Sequence, residues 1–407
     1  MSQYVPADFA PPVSIQRMRN ISLIVGVSFS ALAGIGAYQK LDLFLHSWLF
    51  AFMFWLGLTL GSLALLMLQY VSGGNWGRLG RRIWEAAAGN WWLMLLCWVP
   101  IALGMKLIYP WAHMTHDEAV KSLGADKVNI YLNHDWFIYR GIIYFAGWAL
   151  LYFFLKNWSK KEEAGQTTPA KFVLVQNVSG FGIVFYAASI TFASIDWTMS
   201  LYPQWWSTVW GMQTMVGQVL TTFCFTICLL VKLAQVEPVN RVFKTHHLHD
   251  FGKLMFTFVV LWAYLSFSQW IIIWSGNMLS EIRWYLMRLA HGWQYFGTAL
   301  IFVHFVFPFA LLLSRNLKRH GRRVVLIALL VLFMRLVDLF WLTAPNFYPG
   351  TSAGLNDFHL MDAAMYVVCP IAMGGIWLFL FYWRLGQRSL MPVNDPGFAE
   401  MMEAKHG

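Results

Sequence analysis

Ten separate apolar runs, each about as long as a bilayer is thick, decide what this chain can become. An α-helix rises 1.5 Å per residue, so about 20 mostly apolar residues cross the hydrocarbon interior. Runs that meet this requirement lie at about 20–38, 45–70, 88–109, 136–155, 172–195, 206–231, 251–275, 289–313, 323–343 and 364–384. They take up roughly half of the 407 residues, and only short loops and two tails, 1–19 and 385–407, remain between and around them. The sequence therefore predicts an all-α polytopic membrane protein of ten transmembrane helices, forming one integral membrane domain over 1–407. Composition agrees. Charged residues are only 12% and hydrophobic ones 58%, against about a quarter and about half in soluble domains. A disordered chain, a secreted disulfide scaffold and most cytosolic enzymes are excluded. Pro6, Pro11 and Pro12 precede the first run, and no small-residue cleavage site follows a short apolar core, so no cleavable signal pattern is expected.

The net charge of +10 gains meaning only from its placement. The cations sit in short loops between apolar runs, which argues against nucleic acid as a partner. Of the 29 Lys and Arg residues, 21 fall on one side of the ten-span topology. They are Arg17 and Arg19; Arg78, Arg81 and Arg82; Lys156, Lys160, Lys161 and Lys171; Lys232, Arg241, Lys244 and Lys253; Arg315, Lys318, Arg319, Arg322 and Arg323; and Arg384, Arg388 and Lys405. Seven fall on the other side, Lys40, Lys106, Lys121, Lys127, Arg140, Arg283 and Arg288, and Arg335 lies within a span. Basic loops stay in the cytoplasm, so both termini are expected there.

Several cofactor chemistries lack their ligands. Cys97, Cys224, Cys228 and Cys369 all fall in apolar runs, with no Cys-x-x-Cys-His and no paired Cys-x-x-Cys. A two-haem membrane cytochrome needs a pair of histidines on one face of each of two helices. His46, His291 and His304 are the histidines within runs, and His291 and His304 stand 13 residues apart, about 220° of helical rotation. The loop at about 110–135 holds His113, His116, Asp117 and Glu118, but His-x-x-His without further close ligands does not specify a metal, and a solvated or partner-facing loop is expected. The Gly73–Gly77 segment is a turn rather than a phosphate loop, since neither strand nor Gly-Lys-Ser accompanies it. Arg78 to Ala88 has basic and apolar faces and reads as an interfacial helix.

A charge in the bilayer interior costs at least about 2.5 kcal/mol, so those that persist are paired, face a cavity or do work. Arg335 and Asp338 lie in the ninth run at i, i+3, neighbours on one helix face. They form either a self-neutralising pair that joins helices or a proton-relay step whose carboxylate is tuned by the arginine. Asp196 closes the fifth run. Glu281, Arg288 and His291 stand where the eighth begins, and His304 lies deeper in it. Asp135 and Arg140 open the fourth run, and His359 and Asp362 lead into the tenth. Titratable groups at graded depths suit a proton path or a quinol pocket, and equally suit the polar ends of packed helices. Gln213, Gln218 and Gln269 extend such a path or bond between helices.

Several strings together resemble one family. The most specific runs from Ser194 to Gly211 and includes Asp196, Trp197, Met199, Ser200, Leu201, Pro203, Trp205, Ser207 and Thr208. A second joins Ser268, Gln269, Trp274, Ser275, Gly276 and Asn277 to Trp284, Tyr285, Leu286 and Arg288. Others are Ile108 to Ala112, Asn133 to Tyr144, Phe305 to Arg319, and Asn394-Asp395-Pro396. They resemble the polysulfide-reductase-type (NrfD-like) membrane subunits of alternative complex III, the bacterial quinol:cytochrome c oxidoreductase. At this length the chain is similar to the smaller of the two such subunits, the F subunit.

The resemblance implies two four-helix bundles, spans 2–5 and 6–9, flanked by spans 1 and 10, in the bacterial cytoplasmic membrane. It implies a respiratory or photosynthetic electron-transfer complex with a homologous membrane subunit, an iron–sulfur subunit, multihaem c-type cytochromes, small membrane subunits and lipids. Quinol is the substrate of the complex, the iron–sulfur clusters and c-type haems sit on partners, and this chain binds no cofactor of its own. It serves as a scaffold for the sister quinol-oxidising subunit and as a possible proton path through Asp196, Glu281, Arg288, His291, His304, Arg335 and Asp338. The alternative is a quinol-binding redox subunit in its own right, with His304 or Asp196 as the proton acceptor. Two strings depart from the family pattern: Tyr202-Pro203-Gln204 stands where Glu-Pro-His is expected, and Leu279-Ser280-Glu281 where Pro-Glu-Glu is expected. Three protonatable positions on the non-cytoplasmic side are thereby lost, which weakens a proton exit there and weakens quinol chemistry more. A secondary transporter would show repeats and paired Gly or Pro breaks at midplane, and Pro100 and Pro308 are isolated.

Overall fold

A computed structural model describes residues 6–166, 169–237, 239–348, 358–395 and 397–398. Lys405 and Pro396 lie outside these residues, as does the side chain of Lys171. Among the described residues the chain is helical throughout, with no strand. The main helices are α1 (Val13–Gln39), α2 (Leu41–Ser72), α3 (Asn75–Ala88), α4 (Trp91–Leu103), α5 (His134–Glu163) and α6 (Pro169–Trp197). They continue with α7 (Trp210–Leu233), α8 (Thr245–Gly276), α9 (Leu279–Arg288), α10 (Trp293–Leu313), α11 (Gly321–Thr343) and α12 (Leu360–Leu385). Nine of these are long and apolar enough to cross a bilayer, so the protein is a multi-pass helical membrane protein.

The third apolar run behaves differently from the other nine. It forms only α4 and the single turns after it, and α4 is bent by 41° at the Gly89–Asn90 break from α3, the helix ahead of the run; the two count as a tenth span only if that pair is taken as one. Asn90 holds the bend by donating to the carbonyl of Trp377 at 2.9 Å and accepting from Arg384 at 2.9 Å. Beyond α4, Gly104 and Pro110 break the chain into single turns.

Burial sorts the helices into two kinds. Helix α2 is enclosed almost along its whole length, with α3, α4, α6, α7 and α12 around it. Helix α7 is the second enclosed one, against α2, α6, α8 and α11. Outer helices present apolar side chains outward, as Leu103, Leu150, Phe181 and Ile24 do, which is what a lipid solvent requires. Helix α1 lies along α12, and their backbones meet at glycines. A Cβ on Gly375 would stand 2.3 Å from the Cα of Gly26, so only glycine permits this crossing. Close backbone approach replaces the hydrophobic effect as the source of helix affinity in lipid.

One end of the molecule is closed by charge. Helix α3 does have a basic and an apolar face, but its arginines turn inward instead of lying among headgroups. Arg81 is fully enclosed. It pairs with Glu162, with Glu85 at 3.2 Å and with Asp395 at 3.1 Å, and lies over the Tyr70 ring. Arg78 reaches Asp395 at 2.8 Å, Arg82 reaches Glu85 at 2.8 Å, and Arg388 pairs with Glu163 and with Glu85 at 3.2 Å. The outward placement fails because carboxylates from α5 and the C-terminal segment supply partners that an isolated helix lacks. Phe9 and Leu390 lie at the same end, joined by a 2.9 Å backbone hydrogen bond.

Candidate functional site

The ninth apolar run places Arg335 and Asp338 one turn apart on α11, and the two side chains do pair. Both are buried. Asp338 also accepts from the indole Nε1–H of Trp262 on α8 at 3.0 Å. Arg335 fits because the facing residue on α7 is Gly217. A Cβ there would stand 2.0 Å from Nη2 of Arg335, so the absence of a side chain makes room for the guanidinium. The ring of Trp262 meets that of His304 edge-on at 4.0 Å.

His304 owes its position to a local defect. Pro308 has no N–H to give the carbonyl of residue 304, and its ring would clash there in a regular helix. The chain answers with a π-turn over Leu300–Val306, closed by the N–H of Phe307 on the carbonyl of Phe302. Such one-residue expansions gather at functional positions. Here it turns His304 inward, fully buried, with neither ring nitrogen hydrogen-bonded among the described residues.

Two cavities meet at Asp338. One, of about 20 Å³, lies among α2, α7 and α11, with Gln213, Gln218, Arg335 and Asp338 in its wall. Oε1 of Gln213, Nε2 of Gln218 and Nε of Arg335 have no hydrogen-bond partner among the described residues. By size this cavity suits one water, and those three atoms are the hydrogen-bonding groups a buried water needs. The other, of about 570 Å³, opens between α8, α9, α10 and α11 and is mostly apolar. Its wall includes Trp262, Trp270, Phe305 and Trp341, with Gln213, Ser266, Gln269, Tyr285 and Gln294 as polar points. Gln269 donates to Tyr285 at 3.2 Å and accepts from Ser207 at 3.1 Å. Size, apolar walls and a few convergent polar groups are what a small-molecule site requires.

Asp196 forms a separate centre. The guanidinium of Arg140 grips it at two points, 2.9 and 2.8 Å, and the Tyr144 hydroxyl adds a bond at 2.9 Å. Arg140 lies 4.0 Å over the Tyr131 ring, and the adjoining Trp197 is walled by Trp98, Tyr144, Phe145 and Trp148. The neighbouring loop is ordered by Thr115 and Glu118, whose capping box starts a short helix, His116–Leu123. The Thr115 backbone and hydroxyl bonds hold the Glu118 carboxyl below its ordinary range, and burial lowers the ammonium of Lys127, which donates to the carbonyl of Pro203.

The remaining candidates do not converge on either centre. Arg288 is fully buried but gives its donors to the carbonyls of Trp341, Trp284 and Leu342 and to Asn346, and stacks on Trp284 at 3.5 Å. It ties α9 to the end of α11. Glu281 is partly exposed, and His291 stands exposed in a left-handed turn ahead of α10. Sequence reasoning passed over Trp262, whose signal is only an aromatic in an apolar run. Gly217 was equally hidden among helix glycines. No protein-family model matches the chain, and no curated protein matches it.

Proposed function

We propose that the chain is a membrane subunit of a quinol-oxidising electron-transfer complex in the bacterial cytoplasmic membrane, of the polysulfide-reductase type found in alternative complex III. It supports a homologous quinol-oxidising subunit, works beside iron–sulfur and multihaem c-type cytochrome subunits and small membrane subunits, and moves protons through Asp338. The bent pair α3 and α4 counts as one span in this reading, which gives ten. The excess of basic residues at one end supports a cytoplasmic side for that end and for both termini. The pairings α2–α4–α5–α6 and α7–α8–α10–α11 support two four-helix bundles flanked by α1 and α12.

The observation that carries the reading is the position of Asp338. It faces a water-sized cavity on one side and the 570 Å³ groove on the other. A structural ion pair needs neither space. Arg335 holds the carboxylate, Trp262 orients it, and the three unpaired atoms of the small cavity provide for a water to hand the proton on. The test is gentle solubilisation of the tagged chain, identification of the co-purifying subunits, and a reduced-minus-oxidised spectrum. A stoichiometric set with a sister membrane subunit, an iron–sulfur protein and c-type haem is the expected result. A chain that purifies alone and colourless in several mild detergents would sink the reading and reopen a transporter role.

The groove favours a second reading, in which quinol binds this chain directly. Its polar points and the unpaired Nε1–H of Trp341 and Oε1 of Gln213 suit a ring carrying oxygens. Bound quinol would pass its two electrons to the iron–sulfur subunit of the complex and lose two protons, one to Asp338 and one to the aqueous phase. Asp338, which lines the groove where Asp196 does not, would take a proton from it. A quinone analogue that binds the wild-type complex and equally binds a Trp270→Ala, Tyr285→Phe variant would remove this reading while leaving the first.

A further inference from the structure

A second polar cavity lies at the charged end, away from Asp338. It has a volume of about 270 Å³, and Arg82, Lys156, Arg384 and Arg388 stand in its wall with Glu85. The apolar part of the wall includes Leu66 and Trp383. Trp383 in the wall is 43% exposed, and Phe153, in ring contact with Tyr152 of the wall, is 46% exposed, an aromatic rim of the kind that gathers at interfaces.

Charge accounting separates these cations. Arg78, Arg81, Arg82 and Arg388 are matched by Glu85, Glu162, Glu163 and Asp395. Four positive and four negative groups make that network neutral. Lys156 and Arg384 are left over. Among the described residues neither has a carboxylate within ion-pair distance: Arg384 donates to the neutral Asn90 amide, and Lys156 lies 5.6 Å above the Tyr152 ring. Arg82, only 5% exposed, also keeps its Nε–H without a partner. Two unneutralised cations and a spare buried donor thus border one cavity between an apolar wall and the bilayer edge.

We infer that this cavity binds the phosphate of an anionic phospholipid, with Lys156 and Arg384 as the charge partners and the acyl chains running out past Trp383 and Phe153. Basic pockets between helices near the membrane surface recognise anionic headgroups in this way. A free inorganic phosphate shares the headgroup chemistry but leaves the aromatic rim without a role. The site rests on the charged end alone and stands whether or not the redox reading does.

Native mass spectrometry of the full chain in mild detergent, titrated with phosphatidylglycerol or phosphatidylcholine, tests it. One phosphatidylglycerol per chain should be retained and phosphatidylcholine should not. Lys156→Gln and Arg384→Gln should each weaken retention about fivefold, and together about thirtyfold, at about 1 kcal/mol per cation near the surface. Lys156→Arg should retain the lipid, which keeps the test informative if the double variant does not fold. Equal retention of both lipids, or undiminished binding by a folded double variant, overturns the inference. Phosphate bound with no lipid retained overturns it in favour of a free-anion site.

Discussion

Asp338 has one carboxylate and three claims on it: the charge of Arg335, the indole of Trp262, and the two cavities it faces. Asp338→Asn keeps the shape and the indole bond while removing the exchangeable charge. It also leaves the buried Arg335 charge unmatched, so yield should fall, and the complex that does assemble should move fewer protons per electron in proteoliposomes; unchanged stoichiometry would leave the residue only a packing role. Arg335→Leu strands a buried carboxylate and should cost about 3–5 kcal/mol, whereas Arg335→Leu/Asp338→Leu removes both charges and should cost less. Thermal unfolding of the solubilised chain ranks the two, and equal losses would argue against a stabilising pair. Gly217→Ala tests the same contact from the opposite wall. Its methyl would overlap Nη2 of Arg335, for an expected loss of about 1–3 kcal/mol. Gln204 is exposed, so Gln204→His should be tolerated with no change in yield.

At the scale of elements, the short helix His116–Leu123 carries its own pH dependence. Its Glu118 carboxyl is stabilised in the charged form by the Thr115 backbone and hydroxyl, so its folded pKa lies below the unfolded value of about 4.3. The bonus is present above that value and is lost as pH falls through the folded pKa. Amide protection of residues 116–123, corrected for the intrinsic exchange rate, should therefore fall as pH drops through the folded pKa of Glu118, and Glu118→Gln should flatten the dependence. The helices themselves were readable because hydropathy over 20 residues is a long signal. Nine runs became nine single helices. The third did not, since it covers only α4 and the single turns after it, and the bend from the charged α3 is held by tertiary bonds to α12 that hydropathy does not record. The pair Arg335 and Asp338 was legible because i, i+3 spacing makes neighbours within one helix. The bidentate grip of Arg140 on Asp196 spans 56 residues, and the contact of His304 with Trp262 crosses helices. No local pattern encodes either, and none encodes the groove.

Across the whole molecule, close backbone crossings and buried charge are set within a continuous apolar core. Gly375→Leu should loosen α1 from α12, exposing the α1 segment to added protease while the other helices stay protected; an unchanged digestion pattern would show that the glycine crossing does not hold α1. The charged end has a further consequence in time. Arg81 lies 314 residues ahead of Asp395 in the chain, which at ribosomal speed is on the order of half a minute. Glu85 and Glu162 arrive earlier, but Asp395 completes the set. Arg78, Arg81 and Arg82 are already balanced by Glu85, Glu162 and Glu163, so the charge left open late in synthesis is that of Arg388, and Asp395 offsets it. The charged end therefore closes only when its last carboxylate has been made, long after the helix it holds.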